Sequence, residues 1–452
     1  MSSQFQLMGE KRFRPFFFTQ FAGAFNDNLF KTALITIVAF NSASMTSIDG
    51  EALTTLLPGL FILPFFLFSA TAGQIADKFE KSLIIRYVKI FEIAIMLIAS
   101  SGFFIHNITL LMISLFMMGM HSTIFGPVKY AYLPQHLDEF ELVGGNGMVE
   151  MGTFVAILLG QVMGAWISSM HQHEILTSLV VLTVASLGYI SSRNVPNSPA
   201  SDSRIKINWN PITETYKNLK FVWKNQTLWL AILAISWFWF YGATLLAQFP
   251  NFARETLRGN ESVFIVLLSV FSIGVGVGSL MCEKLSKGKI ELGLVLFGAI
   301  GLTFSGIDLY SSGSNIHENF NNGTTINYLS FLTVQHDSHG QLSLAYLRLL
   351  ADVLFLGLFG GIYIVPLYAR IQSKCEKTHQ SRVIAANNIM NAFFMVFSAI
   401  FSIIILKLGV NITKLFFLTA TLNLIFAIYI CLRDPLYYKS FIKWISGHFI
   451  RP

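Results

Sequence analysis

The sequence predicts an all-α membrane protein: twelve transmembrane helices arranged as two six-helix bundles. Three observations predict it. Of the 452 residues, 54% are hydrophobic and only 12% charged, with a mean hydropathy of +0.60; a soluble globular chain carries about 25% charged residues. Twelve apolar runs follow one another, each near the roughly 20 residues that cross a bilayer. A polar stretch with Ser, Pro and Asn at 194–203 divides those runs six and six. This composition excludes a disordered chain, a disulfide scaffold and an ordinary soluble enzyme. The net charge of +7 and pI of about 9.2 read as basic residues flanking membrane spans, so no nucleic-acid partner is expected. Three cysteines, Cys282, Cys375 and Cys431, make no disulfide framework.

The spans run over roughly 14–40, 53–76, 83–104, 108–130, 143–168, 175–192, 226–249, 262–282, 290–310, 342–369, 383–406 and 413–432. The first run is too long for a cleavable signal peptide and carries Asp27 and Lys31 within it. Lys and Arg set the orientation. With the N-terminus in the cytoplasm, Lys11, Arg12, Arg14, Lys78, Lys81, Arg86, Lys89, Lys129, the 193–224 segment, Lys284, Lys287, Lys289, Arg370, Lys374, Lys377 and Arg382 all fall inside. The outer loops 41–52, 105–107, 169–174 and 311–341 contain no Lys or Arg, and Arg254, Arg258, Lys407 and Lys414 are the outer exceptions. Both termini are therefore placed in the cytoplasm, and the 311–341 loop is expected to be exposed outside.

The organisation is an N-terminal bundle at 1–193, a linker at 194–225, a C-terminal bundle at 226–432 and a tail at 433–452. Within the linker, Asn210 suits an N-cap and Pro211 the first helical position. Ile212, Tyr216, Leu219 and Trp223 then form an apolar stripe flanked by Lys217, Lys220 and Lys224. That pattern suits a helix lying on anionic lipid, with packing against the bundle as the alternative. In the tail, Asp434 and Pro435 open a second amphipathic helix. The halves echo each other: Gly73-Gln-Ile-Ala-Asp77-Lys78-Phe-Glu-Lys81 follows span 2, and Ser279-Leu-Met-Cys-Glu283-Lys284-Leu-Ser-Lys287 follows span 8. A parallel six-helix repeat implies two bundles related by an axis along the membrane normal.

The Gly73–Lys81 string resembles the G-x-x-x-D-[RK]-x-G-[RK]-[RK] signature of the major facilitator superfamily, departing from it at Glu80. The resemblance implies a gating role for Gly73, Asp77, Lys78 and Lys81, with Glu283 and Lys284 as their echo, and a contact from Asp77 to the start of span 11. Four further strings resemble the lysophospholipid-transporter branch of that superfamily. They are Gln20-Phe-Ala-Gly-Ala-Phe-Asn-Asp-Asn28, Phe125-Gly-Pro-Val-Lys-Tyr130, Leu142-Val-Gly-Gly-Asn-Gly-Met-Val-Glu-Met-Gly-Thr153 and Gly360-Gly-Ile-Tyr-Ile-Val-Pro-Leu367. They are similar also to the transporter half of fused proteins that carry an acyltransferase. This chain has no H-x-x-x-x-D motif in a soluble domain, so it reads as a stand-alone transporter or a truncated fusion.

Ionisable residues inside a span are rare and face a bundle interior or a cavity. Gln20, Asp27, Asn28 and Lys31 share one face of span 1, and Asp27 and Lys31, four residues apart, can pair. Span 10 carries Arg348 and Asp352 at the same spacing, span 5 Asn146 and Glu150, and span 11 Asn387, Asn388 and Asn391. A lysophospholipid headgroup needs a cation and an acid. Lys31, Lys129 or Arg348 can hold phosphate, and Asp27, Glu150 or Asp352 can meet an ammonium. The alternative for each pair is an internal salt bridge. Asn387 and Asn391 can also bridge helices, and His121 reads as a packing residue before a proton carrier. Glu92 and Asp308 can be helix ends, and Gly160 and Gly164 read as close helix packing.

No Walker P-loop and no His or Cys metal motif occurs, so neither ATP, metal nor cofactor is expected. The resulting expectation is a monomeric secondary transporter of a bacterial inner membrane. By alternating access it moves lysophospholipid, chiefly lysophosphatidylethanolamine, and an acyltransferase in cis or in trans is the implied partner. The rivals are a transporter of another solute, such as a siderophore or drug, and a membrane module of an acyltransferase system. Span 5 lacks proline and 108–128 lack Arg, which weakens the drug-efflux alternative.

Overall fold

The computed structural model describes residues 4–45, 50–319, 331 and 341–449. Its helices are α1 (Arg14–Met45), α2 (Gly50–Lys78), α3 (Lys81–Phe104), α4 (Ile108–His136), α5 (Leu142–Ser168), α6 (His173–Ser192) and α7 (Pro211–Trp223). They continue as α8 (Gln226–Asn251), α9 (Glu261–Ser286), α10 (Gly293–Asn319), α11 (Gln341–Lys374), α12 (Gln380–Lys407), α13 (Ile412–Arg433) and α14 (Leu436–Phe449). No strand occurs among the described residues. All but α7 and α14 are 20 residues or longer, and ten are long and apolar enough to cross a membrane. The remaining two long helices, α1 and α3, are the ones that carry Asp27, Lys31, Lys89 and Glu92.

Caps and breaks follow the sequence. Asn107 accepts from Leu110 N–H at 3.1 Å and opens α4. Asn210 accepts from Ile212 and Thr213 N–H, both at 3.1 Å, with Pro211 at the first helical position of α7. Lys287 closes α9 with φ 54° and ψ 38°. The segment read as an exposed loop at 311–341 begins as helix, because α10 continues to Asn319. Residues 320–330 and 332–340 lie outside the described residues, as do 46–49.

The chain packs as two compact units. The first holds Met1–Gly145, Val155–Ile232 and Arg370–Ala392; the second holds Asn146–Phe154, Leu233–Ala369 and Phe393–Pro452. The first unit is built around one apolar core from α1, α2, α3, α4 and α6, including Leu29, Phe30, Ile95, Phe103, Leu115 and Val181. Against α1 lies α5, seated by Gly160 over the Phe25 carbonyl and Gly164 over that of Leu29. A Cβ at either glycine would overlap backbone, so this small-xxx-small pair is close packing, as its spacing predicts.

The second unit packs α10 on α13. Asn423, fully buried, accepts from Trp237 Nε1 at 2.9 Å and donates to Ala299 O and Thr303 Oγ1, both at 2.8 Å. Helices α9 and α11 meet backbone to backbone. Gly274 and Gly278 lie over the carbonyls of Leu354 and Leu358, and Gly357 and Gly361 over those of Phe271 and Val275. The tail helix α14 is docked, with Trp444 Nε1 donating to Leu285 O at 2.9 Å and Phe441 backbone set against Gly293.

Helix α7 combines both readings of its pattern. Its buried residues are Asn218 and Val222, and Asn218 donates to Arg382 O at 2.9 Å. Ile212, Tyr216 and Trp223, three of the four stripe residues, stay exposed.

Candidate functional site

In the first unit a row of charges crosses the helical interior. Glu92 on α3 is fully buried. Its Oε1 accepts from Asn26 Nδ2 at 2.8 Å, and its Oε2 lies 2.6 Å from Lys89 Nζ and 3.3 Å from His121 Nε2. On the other side of the ring, His121 Nδ1 is 3.9 Å from Asp27 Oδ1. Asp27 Oδ2 accepts from the Ser122 hydroxyl at 2.5 Å, while Oδ1 takes no hydrogen bond. The helix 1 string makes room for this row, since a Cβ at Gly23 would stand 2.6 Å from Lys89 Nζ.

Several expectations change here. Lys89, read as a cytoplasmic anchor, is fully buried and paired to Glu92, so neither is a helix-end residue. Asp27 and Lys31 do not close on each other: the Lys31 ammonium lies over the Phe61 ring, 5.1 Å from its centroid. The Asn28 amide donates to Ala24 O on its own helix at 2.8 Å. Lys129 is buried with its ammonium 5.1 Å from the Tyr130 ring centroid. Asn387 is fully buried with neither amide atom hydrogen-bonded, and Asn391 is buried nearby on α12.

Also in the first unit, α2 ends in a clasp on the start of α12. Asp77 is fully buried. Its Oδ1 accepts from Ser381 N–H at 3.0 Å, and its Oδ2 from Arg382 Nε at 3.1 Å and from Arg382 N–H at 3.4 Å. A carboxylate at free helix N–H groups is the arrangement the helix dipole favours. Gly73 permits the approach, since a Cβ there would meet Ala385 Cβ at 2.7 Å and Arg382 Cα at 3.0 Å. The linker seals the clasp: Asp202 N–H donates to Asp77 O at 2.9 Å, Lys81 N–H to Ser198 O at 2.9 Å, and Lys81 Nζ to Ser201 Oγ at 2.8 Å. Lys78 lies outside this network, over the Phe79 ring at 5.7 Å.

Two groups outside the spans are shifted. Burial, with the charges of Asp77 and Glu376 nearby, pushes the Cys375 thiol up to about 12. Burial works to raise the Glu141 carboxyl, yet Arg12 and the Asp138 N–H hold it below the usual carboxylate range. Arg12 reaches both Glu141 oxygens at 2.8 Å, a bidentate fork.

In the second unit, Asn146 and Glu150 are buried at the start of α5. Arg348 does not pair with Asp352 on its own helix; it pairs with Asp308 on α10, which is therefore mid-helix and no terminus. Asp352 accepts instead from Ser312 Oγ at 2.8 Å. Glu283 and Lys284, the echo of the clasp, are half-buried and exposed. An apolar hollow of about 350 Å³ lies between α10, α13 and α14, lined by Leu296, Ile300, Leu424, Ile428, Leu432 and Tyr438 among others.

The sequence profile of the Major Facilitator Superfamily matches residues 16–333. The chain belongs to this superfamily. Among curated relatives, the lysophospholipid transporter LplT of Escherichia coli O1:K1 / APEC is 25% identical over 420 residues, covering 89% of this chain and 92% of its own. LplT of Shigella boydii serotype 4 is 25% identical over 424 residues, with the same coverage of each. Among solved structures, the superfamily transporter FucP in the outward conformation aligns with TM-score 0.66 at 11% identity, over 94% of this chain and 100% of that one. A bacterial homologue of the iron transporter ferroportin, in an outward-facing state, aligns with TM-score 0.62 at 13% identity, over 95% and 99%. The chain is thus a multi-pass membrane transporter of the major facilitator superfamily and not an enzyme.

The superfamily signature is intelligible in these terms. Its second glycine is replaced by Glu80, whose φ of −62° and ψ of 126° suit any residue. The departure therefore carries no backbone strain. The Phe125–Tyr130 string seats α4 against α12 and the end of α11. A Cβ at Gly126 would meet Asn388 Nδ2 at 2.5 Å, and Gln372 Nε2 donates to Tyr130 O at 3.0 Å. Asn388 is one of the three asparagines of span 11; Gln372 and Ser381 carry no charge or motif spacing, and no local pattern marks them.

Proposed function

We propose that this transporter moves lysophospholipid, lysophosphatidylethanolamine above all, from the outer to the inner leaflet of a bacterial inner membrane, with both termini in the cytoplasm. One observation carries the reading: Asp27 and Lys31 sit one turn apart on α1, both half-buried and not closed on each other. A zwitterionic headgroup offers an ammonium to the carboxylate and a phosphate to the lysine. The LplT relatives, aligned along nearly the whole chain, support the substrate class. Lys129, Asn146, Glu150, Arg348, Asp352, Asn387 and Asn391 are further candidates to contact the substrate.

The mechanism is alternating access, with the 1–193 and 226–432 halves as the moving bodies and the 194–225 linker between them. The Gly73–Lys81 clasp on α12 is the cytoplasmic gate, and the acyl chain stays against apolar helix faces while the headgroup crosses. An acyltransferase, in cis beyond the 433–452 tail or in trans, consumes the delivered lipid. The test is transbilayer movement of labelled lysophosphatidylethanolamine in proteoliposomes. Wild type should move it, and Asp27→Asn and Lys31→Gln should each slow it at least tenfold. Lysophosphatidylglycerol, which lacks the ammonium, should lose its dependence on Asp27 alone. No movement by folded wild type, or equal rates in all three proteins, overturns the reading.

A further inference from the structure

The four basic residues that break the inward bias of Lys and Arg are Arg254, Arg258, Lys407 and Lys414, and all fall in two short segments of the second unit. These segments enclose a hollow of about 380 Å³, within the roughly 300–1,000 Å³ range of small-ligand sites. It lies where α8 and α12 end and α13 begins, at the end of these helices away from the 194–225 linker and the tail. Gly409, with φ 81°, turns the chain from α12 into α13. A π-helical turn, Phe252–Thr256, follows Pro250 at the end of α8 and forms the other wall.

The walls carry unused donors. Gln248 on α8 lines the hollow and is only 9% exposed. Its Oε1 accepts from Asn251 Nδ2 at 3.3 Å, while its Nε2 donates to nothing among the described residues. The Thr256 hydroxyl, also in the lining, has no hydrogen-bond partner among them either. Buried polar groups are as a rule hydrogen-bonded, and an oxygen placed in the hollow supplies the missing acceptor. Ile412 and Thr413 open α13 on the same wall, and the N–H groups of a helix's first turn favour an anion. Asn411 caps the turn by accepting from Lys414 N–H at 3.0 Å, and Thr413 Oγ1 is held by Asn411 and Ser314 at 3.1 and 3.3 Å. The four cations are exposed, each within two residues of a lining residue. The carboxylates of the two segments are Glu255 and Glu261. Glu255 also lines the hollow, with its charge offset by Arg254 at 3.2 Å. Four cations against two acids leave the opening positive, and exposed charges act over about 8 Å at physiological salt.

We propose that this hollow binds a phosphate group, presented by a phospholipid headgroup or by a soluble phosphate ester. The Gln248 amide, the Thr256 hydroxyl and the first turn of α13 donate to its oxygens, and the four cations draw it in. Leu406, Val410 and Ile412 give the same hollow an apolar side for the carbons next to the phosphate. The site is separate from Asp27 and Lys31, which belong to the first unit. With both termini in the cytoplasm the hollow opens outside. That placement rests on the proposed orientation, and the anion chemistry stands without it.

The experiment places a thiol in the hollow. Val410→Cys is made in the full chain in a Cys431→Ser background, whose own labelling is the blank. In dodecyl maltoside, which carries no phosphate, the cysteine is labelled with anionic sulfonatoethyl and cationic trimethylammonioethyl methanethiosulfonate. Adding Lys407→Gln and Lys414→Gln should lower the anionic-to-cationic rate ratio roughly tenfold. Salt at about 1 M, where the Debye length is about 3 Å, should lower it likewise. Glycerophosphoethanolamine at about ten times its half-protecting concentration should slow labelling about tenfold. Ethanolamine alone should not, and Gln248→Leu should remove the protection. Protection by this soluble ester supports the site with free phosphate esters as a source. Protection by lysophosphatidylethanolamine alone supports it with the lipid as the source. No protection by either, or a rate ratio unmoved by the two lysine variants, overturns the site. The same impermeant reagents on spheroplasts and inverted vesicles fix the side. Labelling of spheroplasts supports the outward placement. Labelling of inverted vesicles alone overturns it, together with the proposed orientation, and leaves the phosphate site standing. A protein that shows protection yet moves no lysophospholipid in proteoliposomes counts against the proposed substrate and not against this site.

Discussion

Replacing Asp77 with Asn tests whether the clasp holds α2 to α12. The carboxylate accepts from Ser381 N–H at 3.0 Å and from Arg382 through Nε at 3.1 Å and N–H at 3.4 Å. Asparagine keeps an acceptor for Ser381 but turns an amide toward the guanidinium. The loss is mainly one charge-assisted hydrogen bond plus the charge at the helix start, about 2–3 kcal/mol. At 1.4 kcal/mol per decade this raises the opened population roughly 30- to 150-fold. Cys375 supplies the readout. It is buried beside the clasp, with its thiol pushed up to about 12. Once solvated it returns to about 8.5, and thiolate is the reacting species, so alkylation reports opening. In a Cys431→Ser background, with Cys282 fully buried, maleimide labelling at pH 7.5 should be about 30- to 150-fold faster in Asp77→Asn, the ratio of opened populations above. Labelling within twofold of wild type in a normally folded protein would refute the clasp as the element that restrains this segment.

Three further outcomes follow from the packing. Lys89→Met leaves Glu92 buried without its 2.6 Å partner. It should cost about 3–5 kcal/mol in thermal unfolding, and adding Glu92→Gln should recover most of that. Asn423→Leu strips the partner from the Trp237 N–H and should cost about 1–3 kcal/mol, seen as a lower melting temperature and altered tryptophan fluorescence. The Glu141 carboxyl titrates below its usual range because Arg12 and Asp138 oppose its burial. The Arg12–Glu141 contribution is therefore complete above the unfolded carboxylate value of about 4.3 and is lost as pH falls through the lower folded value. The melting temperature of wild type should drop over that acid window, and that of Glu141→Gln should drop less.

The apolar runs made the spans legible, since length and hydropathy are properties of a single segment. Their ends were less so: the run read to 310 continues as helix to Asn319, and the run read to 369 continues to Lys374. Polar residues can prolong a helix beyond its apolar stretch. Charge partners were the least legible part. Arg348 and Asp352 share one face, yet Arg348 turns to Asp308, forty residues away. Lys89 looked like one more cytoplasmic lysine because the space that hides its ammonium is provided by Gly23 and Gly188 on two other helices. The contact of Asp77 with α12 was implied by family resemblance and not by spacing, for its partners lie three hundred residues on.

The reciprocal glycines of α9 and α11 have a mechanical consequence. Gly274 and Gly278 face one backbone while Gly357 and Gly361 face the other, so the two rods are joined at one-turn intervals with no compliant side chains between them. Such a pair behaves as a girder, stiffer against bending than two separate rods. Deformation in this half then falls to helices that are cushioned by flexible side chains. A methyl group at any of the four joints acts as a wedge, splaying the girder along its length and blunting the leverage it transmits.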